Sequence, residues 1–298
     1  MRRAFLSLLV LAMVCTYSVA QFGGREGDVV IFAVSAKGNR DFRVVPPPTT
    51  NDQTGFLIED PKNLPDEPFG PDFPGESRRL MHREPGDVFN MIIQREGIVS
   101  PYQYVQGPVK VLITKGILRL FPPNSPPVDT PVGFYAPFPA LVDFGPNQPL
   151  FDGVTLMWTP FPDFPVAKKA PPDYVSPVVP PGSNGIEFLL QRGNFLGIIP
   201  WVSLRELYPG AGWSPGIDVK LLEDDEELGV TLRVLRLRPG RETPWFRVDA
   251  STHLWVLSGR VMITPAGGTK HEMRQDIYAF VPRSLAIQLS NPAEFRFD

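Results

Sequence analysis

Cysteine is all but missing from this chain: Cys15 is the only one in 298 residues, and it lies close to the N-terminus. Neither a disulfide framework nor a Cys-based zinc site can be built from a single thiol. Histidine is nearly as scarce, with only His82, His253 and His271, too few to supply two imidazoles to each of two metal centres. Excess positive charge is absent as well. The formal net charge is −3, which leaves no basic face for nucleic acid or anionic lipid. No run reaches the roughly 20 apolar residues of a membrane-spanning helix, so no transmembrane anchor is expected. An Asn-x-Ser/Thr acceptor is also lacking, which favours a bacterial envelope over a eukaryotic secretory route. Phosphate loops, Rossmann fingerprints and nucleophile elbows are not found either.

What the chain does have begins at its start. Met1-Arg2-Arg3, an apolar run over residues 4–14 and Ser18-Val19-Ala20 before Gln21 have the order of a secretory signal peptide cleaved after Ala20. A secreted or periplasmic protein follows, without cysteine and with a net charge near −5 once Arg2 and Arg3 are gone. Val14 stands where a lipoprotein would need a small residue, so Cys15 is not read as a lipid attachment site.

Proline is abundant: 36 in 298 residues, more than twice the usual ~5%. Proline removes a backbone donor and breaks helices, so the chain should be β-rich with long ordered connections. Residues 21–79 read as a strand at 28–34 followed by a proline-rich arm, and 161–184 as a proline-rich linker. Short alternating strands punctuated by Gly and Pro fill the rest, near 109–114 and 117–121, then 217–222, 230–237, 254–257, 261–264, 277–281 and 286–289. One short helix is expected, around residues 202–207. This is the pattern of an all-β sandwich or jelly-roll barrel.

The punctuation repeats. Gly97, Pro101, Gly116, Pro122, Tyr135 and Pro139 are matched by Gly240, Pro244, Gly259, Pro265, Tyr278 and Pro282, each pair 143 positions apart without a gap. A constant offset across turn residues marks a duplicated domain. Residues 80–160 and 185–298 are therefore read as two barrels.

Both copies resemble the two signature motifs of the cupin superfamily, G-x5-H-x-H-x(3,4)-E-x6-G and G-x5-P-x-G-x2-H-x3-N. In the second copy Gly240 and Gly259 bracket the first motif, and the second motif runs through Asp276, Pro282, Ser284 and Asn291. In the first copy Gly97 and Gly116 are followed by Gly133 and Pro139, with Leu141 at a glycine position and Asn147 one residue early. The resemblance implies an all-β protein of two tandem cupin-type β-barrels (jelly rolls) carrying a Pro-rich N-terminal arm and an interdomain linker. In that family three His and one Glu bind a divalent metal. Here those places hold Phe246, Val248, Thr252 and Ile287 in one copy and Gln103, Val105, Val109 and Phe144 in the other. No metal and no cofactor are therefore expected, and no catalytic residue is assigned.

With Leu254 and Val111, these residues are the candidate pocket linings. Aliphatic and aromatic groups there either fill a barrel as core or leave an apolar pocket. The resulting reading is an exported, metal-free bicupin acting as a binding or structural module for a small apolar or carbohydrate ligand, with homodimerisation through exposed strands left open. One alternative is a cupin-type dioxygenase or isomerase with an unconventional site, using Glu242, Asp249 or Tyr102 for acid/base work. Another is an envelope carbohydrate-binding protein that stacks sugars on Trp201, Trp213, Trp245 or Trp255. His253 neighbours Thr252 on a strand, so it should face away from any cavity. The acidic run Glu223–Glu227 reads as a solvated turn, lacking calcium-loop spacing.

Overall fold

The run Val29-Val30-Ile31-Phe32-Ala33-Val34 is apolar at every position, the pattern of a strand buried on both faces. In the computed structural model, which describes residues 19–48, 53–123, 125–160 and 167–292, it opens a 16-residue strand, Val29–Val44. The proposed signal segment up to residue 18 lies outside the described residues. That long strand is central in its sheet, antiparallel to Val230–Leu237 on one side and Phe246–Ser258 on the other. The strand expected at 28–34 thus completes the sheet of the C-terminal barrel, across the boundary drawn between the 21–79 segment and that barrel.

The chain forms two compact units. One takes residues up to Asp60 together with those from Gly197 onward, and the other is Pro61–Leu196. These bounds redraw the expected 80–160 and 185–298. In the first unit ten strands form one sheet, running from Val202–Ser203 through Ile217–Asp225, Val230–Leu237, Val29–Val44 and Phe246–Ser258 to Ile287–Ser290, Arg260–Pro265 and His271–Arg274. Leu57–Glu59 and Tyr278–Val281 pair off this path. The interior is apolar and includes Ile31, Ala33, Phe42, Trp213, Val219, Leu235 and Val261.

In the Pro61–Leu196 unit the main sheet contains Glu76–Glu84, Asp87–Gln94, Gly153–Thr159, Val109–Lys115 and Phe134–Phe138. Glu76–Glu84 and Asp87–Gln94 form a hairpin at Pro85-Gly86, where Gly86 has φ +77°. The expected linker 161–184 belongs largely to this barrel. Its first six residues lie outside the described residues, but Ala167–Lys169 pairs with Gln103–Val105, and Tyr174 stacks on Tyr104 at 4.5 Å. A helix at Gly185–Arg192, capped by Asn184 accepting from the Glu187 amide, also lies in this unit, although the sequence reading placed it in the second barrel and saw no helix there. The short helix expected near 202–207 is found at Leu204–Leu207.

The 143-residue offset survives in backbone geometry. Gly97/Gly240, Gly116/Gly259, Gly133/Asp276 and Leu141/Ser284 all have positive φ, between +65° and +84°. Leu141, Asp276 and Ser284 stand where the cupin motifs place glycine, and they keep the left-handed turn despite its cost to a residue with a Cβ. The hydrogen bonds that hold these turns repeat too. Gly133 N donates to Ile113 O and Asp276 N to Val256 O, while Leu141 N donates to Val105 O and Ser284 N to Val248 O.

Candidate functional site

Pairing across the strands sets corresponding residues of the two barrels in matching places. Phe246 lies opposite Ile287, as Gln103 lies opposite Phe144. Phe42 lies opposite Val248, as Ala167 lies opposite Val105. The side chains at these places decide what each interior holds.

In the first unit they fill it. Phe246, Val248, Leu254 and Ile287 all belong to the packed core. Phe42, Phe246 and Trp213 form an aromatic cluster with ring centroids 5.4–6.0 Å apart, in the tilted and edge-on geometries such rings prefer. Thr252 is buried, and its hydroxyl is satisfied by Ser35 at 3.1 Å and by Ala250 O at 3.3 Å. The five pocket candidates of this barrel are therefore core residues.

In the Pro61–Leu196 unit the same places leave a cavity of about 80 Å³, partly open to solvent. Gln103, Val105, Val109, Val111 and Phe144 all line it, joined by Ile92, Ile113, Phe134, Phe138 and Ala167. Alanine opposite Val105, where the other barrel has Phe42, and glutamine in place of Phe246 remove two of the three aromatic rings that fill the other interior.

The lining also includes polar groups that the sequence reading did not single out. Glu76, Gln94, Thr130, Asn147 and Thr155 face the cavity. Ser100 brings two of them together: its hydroxyl donates to the Glu76 carboxylate, and its backbone makes both hydrogen bonds of a bridge to Asn147, at 2.8 and 3.2 Å. Gln94 lies opposite Glu76 in the hairpin and accepts from Thr155 at 3.2 Å. Glu76 is 7% exposed, and burial pushes its carboxyl from 4.5 up to about 7. Gln103 Oε1 and Asn147 Oδ1 are buried without a hydrogen-bond partner among the described residues. So are both side-chain polar atoms of Asn90, which alternation places on the same strand face as Ile92 and Gln94. Glu76 fell inside the segment read as an arm. The Pro85-Gly86 turn before the apolar-rich run 87–94 was the signal that a partner strand should precede it.

The other candidates are engaged elsewhere. Glu242 is exposed and accepts from Gln288 at 3.0 Å, and Asp249 accepts from Ser284 at 2.8 Å and pairs with Arg43 and Arg247. Tyr102 donates to Asp143, and burial, then Asp143, pushes its hydroxyl pKa up. His253 is buried on the strand face opposite the Phe246–Leu254 core, with Nδ1 2.8 Å from the Tyr278 hydroxyl. Trp213 and Trp255 are buried, and Trp201 is flanked by Lys220 and Arg236 at 4.4 and 4.5 Å from its ring. The acidic run is partly strand: Asp224 and Asp225 end Ile217–Asp225, and Asp224 binds Arg40 and Thr231.

Neither set of motif positions fits the divalent metal of the cupin motifs. They offer a hydroxyl at Thr252 and an amide at Gln103, but no imidazole or carboxylate. Among the described residues no cluster of three His, Cys, Asp or Glu could hold a metal ion. No described helix is long and apolar enough to cross a membrane.

No protein-family model and no curated protein matches the chain. Solved structures do. A candidate dioxygenase of Nostoc punctiforme is 14% identical, with a TM-score of 0.58 over 85% of this chain and 84% of that one. A 7S globulin of Momordica charantia is 10% identical, with a TM-score of 0.50 over 80% of each. A cupin barrel protein of Leptotrichia buccalis is also 10% identical, with a TM-score of 0.42 over 74% of this chain and 84% of that one. At such identities the likeness to the first two shows the fold alone.

Proposed function

From a chain of cupin fold whose motif positions do not suit the family's metal, we propose a small-molecule binding protein in which one barrel carries the site and the other is structural. The observation that carries this reading is the cavity of about 80 Å³ in the Pro61–Leu196 unit, apolar along its walls and polar at Glu76, Gln94, Gln103 and Asn147. Ligand sites in proteins have this composition: apolar lining with a few polar groups that orient the ligand. The cavity has about half the roughly 150 Å³ that accepts benzene in an engineered apolar core, so the ligand, or the part of it that enters, is small. The signal-type residues 1–20 support a place of action outside the cytoplasm.

A titration with 1-butanol, followed on the methyl resonances of Val105, Val109 and Val111, tests the reading. Saturable shifts are expected in the wild type and none in Ala167→Phe, which puts a ring where the filled barrel has Phe42. Ala167→Leu, a smaller intrusion, should weaken binding without abolishing it and guards against overpacking. Absence of saturable binding in the wild type would remove the reading.

One observation supports the enzyme alternative. A carboxyl near pKa 7 in the lining of a cavity is poised for general acid or base work. Solved structures of this fold include both a candidate dioxygenase and a 7S globulin, so the fold is compatible with either reading. Turnover of a bound small molecule that Glu76→Gln lowers by about 100-fold or more would promote catalysis over binding.

A further inference from the structure

We infer that the ligand of the Pro61–Leu196 cavity carries a protonated amine as its polar head, attached to a short apolar body. This rests on the binding reading above and specifies the chemistry of that same site.

The charge pattern of the lining comes first. Among the described lining residues Glu76 is the only ionisable one; no Lys, Arg or His accompanies it. A buried carboxylate without a counter-charge is held away from its charged form, and burial alone accounts for the raised pKa of Glu76. A ligand that brought its own positive charge would supply what the lining lacks. An anionic ligand would meet one negative group and no positive one.

The hydrogen-bonding pattern agrees. Gln103 Oε1 and Asn147 Oδ1 are acceptor atoms in residues only 3% exposed, and neither has a partner among the described residues. Buried polar atoms in native proteins are almost always paired. Asn147 and Glu76 both line the cavity and are both tied to Ser100, one through backbone bonds and the other through the hydroxyl, so a carboxylate and an amide are neighbours in the lining. An ammonium offers three donors and no acceptor, the complement of a lining with a carboxylate and unpaired amide oxygens. The remaining walls, Val105, Val109, Val111, Ile113 and Phe134, suit a short hydrocarbon body.

The test compares three probes of one shape on the full mature chain: n-butylamine, 1-butanol and butyrate, titrated calorimetrically at about pH 8, where Glu76 is largely ionised and an alkylamine is protonated. Butylammonium should bind at least about tenfold tighter than 1-butanol, as a charge-assisted contact requires, and butyrate more weakly than either. Glu76→Gln, which keeps an oxygen for the Ser100 hydroxyl but carries no charge, should lose the amine preference, so that butylamine and 1-butanol then bind alike. Equal binding of amine and alcohol in the wild type, or a preference that survives Glu76→Gln, would overturn the amine assignment and leave the cavity reading intact. If none of the probes binds, the cavity reading fails and this inference with it. Should Glu76→Gln not fold, the order of the three probes in the wild type decides alone.

Discussion

Residues 103 and 246 occupy the same place in the two barrels, yet one is a glutamine beside a cavity and the other a phenylalanine in a packed core. The residues opposite their neighbours differ in the same sense, Ala167 in one barrel and Phe42 in the other. The strand that sits between the strands on either side of Gly240 in one barrel and Gly97 in the other differs as well. In the first unit it is the 16-residue Val29–Val44, whose far end carries Phe42 into the interior. In the Pro61–Leu196 unit it is the seven-residue Gly153–Thr159, and the pairing near Val105 falls to Ala167–Lys169. Two barrels with matching turns thus reach opposite interiors through two or three aromatic rings.

The largest expected effect comes from removing one of those rings. Phe42→Ala or Phe246→Ala should destabilise the filled barrel by about 3–5 kcal/mol in chemical denaturation. Gln103→Leu at the matching place should change stability by less than about 1 kcal/mol or raise it, because it removes a buried amide oxygen with no partner among the described residues. Equal losses at 246 and 103 would break the comparison.

Next in size is the pH dependence of the hollow barrel. The Glu76 carboxyl rises from 4.5 to about 7 on folding, so between these values the native state holds a proton that the unfolded state has released. Stability contributed by this group is therefore full below about pH 4.5 and falls as pH rises to 7, by roughly 3 kcal/mol in all. Denaturation midpoints measured across that window should show the fall in the wild type and not in Glu76→Gln.

Smaller effects follow from the hydroxyl pair and the retained turns. Thr252→Val should cost about 1 kcal/mol by leaving Ser35 with one fewer partner, measured as a shift in denaturation midpoint. Leu141→Gly should stabilise the hollow barrel by about 0.5 kcal/mol. Relief of the left-handed turn at φ +66° there outweighs the added freedom of glycine in the unfolded chain.

Much of this was legible in the residues. Turn positions are restricted by backbone geometry, so the offset of 143 carried the duplication and the fold even where Leu141, Asp276 and Ser284 replace glycine. Alternation placed His253 away from the Phe246–Leu254 face. The outer boundaries were not legible, because strand exchange along the chain leaves no local mark. Val29–Val44 completes a sheet whose other strands come some 200 residues later, and Ala167–Lys169 sits in a proline-rich stretch with no strand periodicity. Glu76 was missed for a different reason: it lies on the hairpin partner of Asp87–Gln94, inside the stretch read as a proline-rich arm, although the Pro85-Gly86 turn marked that hairpin. The contrast between a filled and a hollow barrel depends on Phe42 and Ala167, residues outside the motifs whose partners only the pairing reveals.

Xenon titration followed on assigned methyl resonances tests the central contrast most directly, since xenon enters apolar cavities without needing a polar contact. Saturable shifts confined to Val105, Val109, Val111 and Ile113 are expected, with Val248, Leu254 and Ile287 unmoved. Shifts of equal size in both sets, or in neither, would contradict the account of one hollow barrel and one filled.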